Sequence, residues 1–322
     1  MKYRIRLKNT SARLIVHIAF VILIVAVFAQ AEAASTKVKQ KTFPSAEEAV
    51  KALVTAIKIN DDKELRAIFG PAGEDLFSSG DPVADRLGRE KFLKQYEVKN
   101  ILISRKDSVT LLLGDNDWPF PIPVVKHGGK WSFDTAGGKE EILNRRIGEN
   151  EVNTINVCLA YVDAQREYAM MDIDRDGIPE YADKIMSDPG KKNGLYWETK
   201  EGEVPSPIGP VLAEARKEGY GGKKAKDTPV PFHGYYYRAL KAQGKNAAGG
   251  AYEYVVKGKM IGGFALVAYP AKYGNSGIMT FIVNHDGVVF QKDFGNNTAR
   301  YAEDLKKFDP DKTWKMVTVA NK

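Results

Sequence analysis

Apolar residues recur at helical spacing after residue 42 and predict helices ahead of any strand. Ser45 stands as an N-cap with Glu48 three residues later, the arrangement of a capping box. The apolar positions of this first helix are Ala49, Ala52, Leu53, Ala56 and Ile57. A short helix from Lys63 to Phe69 and a further one from Val83 to Tyr96 follow. The pattern therefore places two or three helices before the first strand.

Alternating apolar and polar positions then predict an antiparallel sheet. The strand segments are Asn100–Ser104, Ser108–Leu113, Trp118–Val125 and Lys130–Asp134. His127-Gly128-Gly129 is typical of a hairpin turn. Pro119, Pro121 and Pro123 cannot donate to a sheet ladder, so their strand is predicted at an edge. Helices beside an antiparallel sheet indicate an α+β fold.

The longest helical pattern runs from residue 139 to residue 170, with apolar residues at spacings of three, four and seven. Gly148 interrupts it, and we expect a bend or a split there, at a cost of about 1 kcal/mol relative to Ala. After residue 188 the chain is rich in Gly, Pro and Lys, which indicates surface loops around one short helix, Pro210–Lys217. A second antiparallel sheet is predicted from strands at 233–238, 252–256, 263–269, 277–284 and 288–292.

The stretch Asp172–Asp183, D-I-D-R-D-G-I-P-E-Y-A-D, follows the long helix and has the spacing of a calcium-binding loop. The twelve-residue template places oxygen ligands at positions 1, 3, 5 and 12, a glycine at 6 and a backbone carbonyl at 7, and position 9 often contributes as well. Gly177 occupies the glycine position. The predicted calcium ligands are Asp172, Asp174, Asp176, Ile178, Glu180 and Asp183.

Two interpretations of this acidic loop are open. Five acids within twelve residues repel one another, and a divalent cation relieves that repulsion. The alternative is an acidic, solvated turn without an ion. Asp183 is shorter than the glutamate usual at position 12, and Pro179 limits any helix that follows. These departures favour a single structural site over a paired helix–loop–helix sensor.

Residues 1–33 have the pattern of a secretory signal peptide. Five basic residues precede a nearly unbroken apolar run, Leu14–Ala29, and small residues close the segment at Ala31 and Ala33. We expect cleavage after Ala33 and a periplasmic or secreted protein with no membrane span after cleavage. An uncleaved N-terminal anchor is the alternative, since the apolar run approaches spanning length.

Charge and cysteine content narrow the function further. Residues 1–33 contribute +4 of the formal net charge of +7, so +3 remains on residues 34–322. The remaining basic residues are interspersed with acids, which leaves a nucleic-acid-binding function without support. Cys158 is alone, so there is no disulfide framework, and its place in the long apolar helix favours a buried thiol over a reactive one.

Two polar clusters are candidates for acid–base chemistry. His233 opens a strand rich in tyrosine and arginine at 235–238, and His285 precedes Asp286. Alternating tyrosines are typical of strand packing, and Asp286-Gly287 is typical of a hairpin turn. The sequence has no nucleophile elbow, zinc-spaced histidine pair, P-loop or dinucleotide fingerprint, which favours a protein that is not an enzyme.

Several longer motifs resemble one known family. They are W-P-F-P-I-P, E-E-I-L-N-R-R-I-G-E-N-E, L-A-Y-V-D-A-Q-R-E-Y-A, H-G-Y-Y-Y-R, G-G-F-A-L-V-A-Y-P-A and T-F-I-V-N-H-D-G-V-V-F. On these motifs the chain resembles the secreted bacterial family catalogued as domain of unknown function 2950, from about Phe43 to Trp314. The resemblance implies export. It implies no activity, substrate or catalytic residue.

Two further similarities concern architecture. Helices followed by curved strands and a Trp-x-Phe-Asp strand are similar to the nuclear-transport-factor-like cone fold. The long helix with T-I-N-V-C-L-A-Y-V-D-A-Q-R-E-Y-A, a loop and the C-terminal strands are similar to pilin-like and pseudopilin soluble domains, some of which hold calcium in a loop. Here a whole domain precedes the helix, which argues against filament polymerisation by that helix.

These observations predict three parts: a signal peptide at 1–33, an α+β domain at 34–138, and a domain at 139–322 with the long helix, the calcium loop and an antiparallel sheet. The expected function is a non-catalytic binding or assembly module of the cell envelope, stabilised by one calcium ion. Its partners would be other envelope proteins or an envelope polymer. The alternatives are a periplasmic hydrolase of an envelope polymer with His233 as general acid and base, and a sensor of extracellular calcium.

Overall fold

The computed structural model of the protein describes residues 39–200, 202–220 and 230–318. The signal peptide predicted at residues 1–33 lies outside the described residues. Gln40–Lys322 form one compact unit, and its described part is built from helices and antiparallel sheets. The structure thus confirms the predicted α+β class.

The described residues form seven α-helices. In chain order they are α1 (Ala46–Lys58), α2 (Asp62–Phe69), α3 (Glu74–Phe77), α4 (Pro82–Val98), α5 (Thr135–Met170), α6 (Gly209–Glu218) and α7 (Thr298–Asp304). The first begins at the predicted cap, since the Glu48 backbone N–H donates to Ser45 Oγ at 3.2 Å. The last, α7, coincides with no helix predicted from the sequence.

The strands follow the predicted order with shorter bounds. They are β1 (Asn100–Arg105), β2 (Ser108–Leu113), β3 (Trp118–Pro119), β4 (Val124–His127), β5 (Lys130–Phe133), β6 (Tyr235–Leu240), β7 (Ala242–Gln243), β8 (Tyr252–Glu253), β9 (Val255–Val256), β10 (Lys259–Met260), β11 (Ala265–Pro270), β12 (Met279–Asn284), β13 (Phe290–Asp293) and β14 (Lys315–Met316). The predicted strand Trp118–Val125 is divided between β3 and β4, because Pro121 and Pro123 between them have no N–H to donate.

Two antiparallel sheets organise these strands. The first has the order β1-β2-β4-β5, with β3 also paired to β2. The second has the order β14-β13-β12-β11-β6, so its strands lie side by side in the order in which they occur in the chain. Two short ladders, β7 with β8 and β9 with β10, lie in the chain between β6 and β11 of the second sheet.

Each sheet has its own hydrophobic cluster. In the first half, Leu53, Ile68, Leu113 and Phe133 are buried between α1, α2 and the sheet. In the second half, the cluster joins the inner residues of the second sheet to those of α5 and the loops that follow it. Its largest fully buried side chains are Tyr161, Leu195, Tyr235, Leu240, Tyr254, Phe264 and Phe281.

One continuous helix of 36 residues, α5, connects the two clusters. Ile142 packs against the first cluster, whereas Cys158 and Tyr161 are buried in the second. The helix begins four residues before the predicted start because the Gly137 N–H donates to Asp134 Oδ1 at 3.1 Å, which caps it. It also runs unbroken through Gly148, where the sequence predicted a bend or a split. Packing on both sides of this exposed glycine outweighs its low helix propensity.

The predicted boundary between residues 138 and 139 falls in the first turn of α5, and the two-domain division stays a prediction. Polar contacts connect the halves on one side of this helix. Asp75 accepts from Lys139 Nζ at 2.6 Å and from Lys272 Nζ at 2.7 Å, and Arg146 donates to Asn275 Oδ1 at 2.5 Å. The two lysines hold the pKa of Asp75 well below its ordinary value.

Candidate functional site

The acidic loop leaves the C-terminal end of α5 and folds back on itself. Asp172, Asp174 and Asp176 each offer a carboxylate oxygen, and these oxygens lie within 4.8 Å of one another. Asp172 has a φ of +43°, Arg175 of +58° and Gly177 of +77°. Left-handed backbone at these three positions curls the chain tightly, so alternate acids converge instead of spreading apart.

Hydrogen bonds inside the loop hold part of this arrangement. The Gly177 N–H donates to Asp172 Oδ2 at 3.2 Å, and the Ile178 N–H donates to Asp176 Oδ1 at 2.9 Å. The other oxygen of Asp172, Oδ1, is buried and has no hydrogen-bond partner among the described residues. Buried polar atoms nearly always have a partner. This oxygen is therefore open to a ligand.

Lys259, on β10, brings a positive charge to the same place. Its ammonium donates to Asp174 Oδ2 and Asp176 Oδ2 and lies 3.8 Å from Glu180 Oε2. Hydrogen bonding from Lys259 lowers the pKa of Asp176, and the bonds to Asp174 and Asp176 raise the pKa of Lys259. Burial raises the pKa of Glu180; the charge of Lys259 opposes this shift, and the neighbouring aspartates add to it. Four of the five loop acids thus lie close to one cationic group or to each other.

The remaining predicted ligands lie differently. Asp183 Oδ2 accepts from Lys241 Nζ at 3.2 Å, apart from the three converging aspartates. The Ile178 side chain is exposed. The Tyr181 N–H donates to the Met260 carbonyl at 2.8 Å, which joins the end of the loop to β10 and carries the chain away from the aspartates before Asp183. Among the residues that the structure describes, Asp172, Asp174 and Asp176 form a group that could bind a metal ion.

A separate cleft of about 750 Å³ lies between the first half of the protein and Glu218, Tyr220 and His233 of the second half. Helices α1 to α5 and the first sheet contribute most of the side chains in its lining. Its apolar lining includes Leu53, Phe69, Phe92, Leu113 and Ile142. Space of this size falls in the range of small-molecule binding sites.

His233 contributes to the polar part of the cleft lining together with Glu218, the last residue of α6. The two side chains approach to 4.0 Å between His233 Nε2 and Glu218 Oε2. Glu218 Oε2 is buried without a hydrogen-bond partner among the described residues. His233 has a φ of +49°, a conformation that few residues other than glycine adopt. The histidine ring thus lies beside the carboxylate on a residue with left-handed backbone.

Asp81 fixes the backbone on which His233 stands. Its buried carboxylate accepts from the Tyr220 hydroxyl and from the Gly234 N–H, both at 2.9 Å. The same side chain caps α4 through the N–H groups of Val83 and Ala84, both at 3.1 Å. Burial and the charge of Asp81 raise the pKa of Tyr220. A helix start and a loop 153 positions further along the chain thus share one carboxylate.

The other polar residues singled out in the sequence have structural surroundings. Tyr235 is fully buried and donates to the Met279 carbonyl at 3.0 Å, and the Arg238 guanidinium donates to the Ala302 carbonyl at 2.6 Å. His285 lies on the turn between β12 and β13, with Nε2 3.8 Å from Asp286 Oδ1, and does not line the cleft. Only His233 of the predicted acid–base candidates is therefore associated with the cleft.

Sequence reasoning missed three residues of these sites: Asp81, Glu218 and Lys259. For Asp81 a local signal existed, because Asp before Pro82 is the pattern of a capped helix start. Glu218 and Lys259 reach their partners through tertiary structure alone. Lys259 meets Asp174 across 85 positions of chain, and no local pattern indicates such a pairing.

Among the residues that the structure describes, no helix combines the length and the apolar character needed to cross a membrane. A search of curated proteins finds no match for the chain, and a search of solved structures finds none either. The similarities to pilin-like domains and to the nuclear-transport-factor-like cone therefore stay predictions. The model of a protein family described as "Protein of unknown function (DUF2950)" matches residues 40–317. The match confirms the family resemblance drawn from the sequence motifs, and the chain belongs to the DUF2950 family.

Proposed function

We propose that this protein is an exported, non-catalytic binding or assembly module of the cell envelope, and that one calcium ion stabilises its C-terminal half. The signal-peptide pattern at residues 1–33 supports export. The observation that carries the calcium part is the convergence of Asp172, Asp174 and Asp176, with oxygens within 4.8 Å of one another. Calcium prefers several carboxylate oxygens arranged around a common point.

The charge balance of the loop supports a divalent ion. Lys259 supplies one positive charge to Asp174, Asp176 and the more distant Glu180, and the negative charge around it exceeds what one ammonium neutralises. A calcium ion carries twice that charge and can also bind Asp172 Oδ1, the buried oxygen without a partner. The ion and the ammonium compete for the same oxygens, so calcium binding requires Lys259 to withdraw.

The position of the loop explains how an ion would stabilise the second half. The loop begins at the end of α5 and joins β10 through Tyr181 and Met260. An ion held by Asp172, Asp174 and Asp176 therefore fixes the helix end relative to the β9–β10 ladder. A surface held in one shape loses less conformational entropy when it binds a partner, and that suits an envelope module that binds other proteins or a polymer.

Thermal unfolding of residues 34–322 in calcium and in chelator tests the proposal. Calcium at 100 times its Kd stabilises the native state by about 2.7 kcal/mol if it binds only that state. Asp174→Asn and Asp176→Asn should abolish the rise in Tm, whereas Asp188→Asn, in the nearby turn with Lys184, should keep it. Lys259→Met should bind calcium more tightly, because the competing ammonium is gone.

The Tm values at saturating calcium distinguish the possible outcomes. An unchanged Tm for the unsubstituted protein contradicts the calcium proposal. A Tm increase that survives Asp174→Asn and Asp176→Asn would place the ion elsewhere. Asp183→Asn reports on the twelfth loop position: a loss of affinity would mean that Asp183 leaves Lys241 and joins the ion, as the sequence template predicts.

A second candidate function is a periplasmic hydrolase of an envelope polymer. The observation that favours it is the approach of His233 Nε2 to Glu218 Oε2, at 4.0 Å, beside the cleft. A carboxylate next to a histidine orients the ring and stabilises its protonated form during acid–base catalysis. Release of soluble fragments from purified peptidoglycan tests this function. Activity that His233→Gln abolishes and His127→Gln, an exposed histidine on β4, retains would support the hydrolase; absence of release would contradict it.

A further inference from the structure

We propose that the cleft beside α4 binds an uncharged amphiphile, with a largely apolar body and a hydrogen-bonding polar end such as the glycerol of a monoacylglycerol. This site goes beyond the calcium proposal. None of the loop residues from Asp172 to Asp183 lines the cleft, so either proposal can fail without the other.

The size of the cleft is the first argument. Protein interiors are close-packed and contain few voids larger than a water molecule. A space of about 750 Å³ beside the buried side chains of Leu53, Phe69 and Leu113 is far too large to be a packing defect. The partly exposed lining residues Leu87, Phe92 and Ile142 lack contacts and shelter from water on the side of this space, and an apolar molecule would supply both.

The helix over the cleft is the second argument. α4 has 17 residues, and none of them is buried. It nevertheless carries Leu87 and Phe92, which line the cleft and remain partly exposed. Phe92 packs edge-on against Phe120 with ring centroids 5.5 Å apart, and Leu93 and Tyr96 also contact the first cluster, so the helix is in place. Its face toward the cleft nevertheless keeps exposed apolar surface on Leu87 and Phe92. A ligand in the cleft would bury that face.

The lining charges indicate what kind of polar end the ligand carries. Four basic and three acidic residues line the cleft: Arg89, Lys91, Arg145, Arg146, Asp85, Glu149 and Glu218. Several of these charged side chains already lie near a side chain of opposite charge in the protein. Lys91 lies 4.0 Å from Glu149, and Arg145 donates to Glu141 at 2.6 Å. No large excess of either sign is left for a charged ligand, so the balance favours an uncharged polar end.

Two unpartnered atoms in the lining define what that end must offer. Glu218 Oε2 is a buried acceptor, and Arg89 Nε is a buried donor, and both lack a hydrogen-bond partner among the described residues. A hydroxyl group can donate to a carboxylate and can also accept from a guanidinium. A ligand with hydroxyls on an apolar body meets both requirements, whereas a pure hydrocarbon meets neither.

A displacement assay with the fluorescent probe N-phenyl-1-naphthylamine tests the site on residues 34–322. Monolauroylglycerol should displace the probe at lower concentration than dodecanoate or dodecylammonium, which carry the same chain with a negative or a positive end. Absence of probe binding would overturn the cleft as a ligand site. Stronger displacement by either charged compound would overturn the assignment of an uncharged polar end.

Two substitutions on α4 locate the binding. Gly88 and Ala84 are four residues apart on one helix face and both line the cleft, and a Cβ at Gly88 meets no atom within 4 Å. Gly88→Leu and Ala84→Phe should each weaken monolauroylglycerol binding by about tenfold or more, since they fill the space. Gly148→Leu is the matched control, because Gly148 is a helical glycine with equally open surroundings outside the cleft lining, and it should bind as the unsubstituted protein does. Equal affinity in all three variants would overturn the proposal.

Discussion

Asp81 offers the sharpest test of how the two halves of this protein are held together. Its carboxylate is fully buried and accepts four hydrogen bonds, from Val83, Ala84, Tyr220 and Gly234. The first two cap a helix, and the last two reach residues more than 130 positions away. Asp81→Ala removes all four at once and leaves the Tyr220 hydroxyl and the Gly234 N–H without that acceptor.

The loss of stability in Asp81→Ala can be estimated from these hydrogen bonds. Loss of an N-cap side chain costs about 1 kcal/mol. A buried donor left without an acceptor costs about 1–3 kcal/mol, and the Tyr220 hydroxyl and the Gly234 N–H are both in that position. Removing a buried carboxylate also relieves its own desolvation, which offsets part of the loss. We expect Asp81→Ala to lower the free energy of unfolding by about 3 kcal/mol, a large share of the total for a typical domain.

Urea unfolding followed by circular dichroism measures this loss. Asp61→Ala is the matched control, because Asp61 caps α2 by accepting only from the Glu64 N–H, at 2.9 Å. Its loss should cost about 1 kcal/mol, the value of a cap alone. If Asp81→Ala costs no more than Asp61→Ala, the long-range hydrogen bonds contribute no net stability and the reasoning above is refuted.

Three further predictions concern other parts of the fold. The two lysine partners lower the pKa of Asp75, so its contribution to stability is present above the unfolded pKa of about 3.9 and is lost as pH falls below that value. Asp75→Asn should therefore be less stable than the unsubstituted protein at pH 6. Urea titrations at more acidic pH should show this difference shrinking. Burial raises the pKa of the Cys158 thiol to about 12, so Ellman's reagent should react with it only at the rate of unfolding, and rapid labelling of the native protein would contradict the buried position. A Cβ on Gly138 would lie 2.4 Å from the Pro121 carbonyl oxygen, so Gly138→Ala should lower the Tm at a cost of about 1–3 kcal/mol, whereas Gly148→Ala should raise stability by about 1 kcal/mol; equal effects would show that the backbone at Gly138 can move aside.

The sequence predicted the helices and strands whose positions depend on residues close together in the chain. The cap at Ser45, the spacing of apolar residues in α1 and α5, and the alternation in β2 each follow from neighbouring residues, and the structure has these elements. The early start of α5 was not predicted, because the apolar periodicity begins only after Gly137 and Gly138, two residues of low helix propensity. Gly138 is in fact a helical residue at a close approach to the backbone of Ile122, where any side chain would collide.

The candidate sites were predictable only in part, for the same reason. Asp172, Asp174 and Asp176 are neighbours in the chain, and their convergence could be inferred from the loop spacing. The cleft draws on the six helices α1 to α6 and on the first sheet, and the approach of His233 to Glu218 depends on where α6 lies. Such arrangements follow from tertiary packing, which no local spacing encodes.

The shared helix α5 has a consequence for how order is lost in this protein. With 36 residues at a rise of about 1.5 Å each, it extends roughly 54 Å, and the buried face of its first part backs one cluster while the rest backs the other. Unfolding of either cluster would expose part of α5 to water and would destabilise the part of the helix that packs against the other cluster. Unfolding that starts in either cluster is thereby transmitted along α5 to the other cluster.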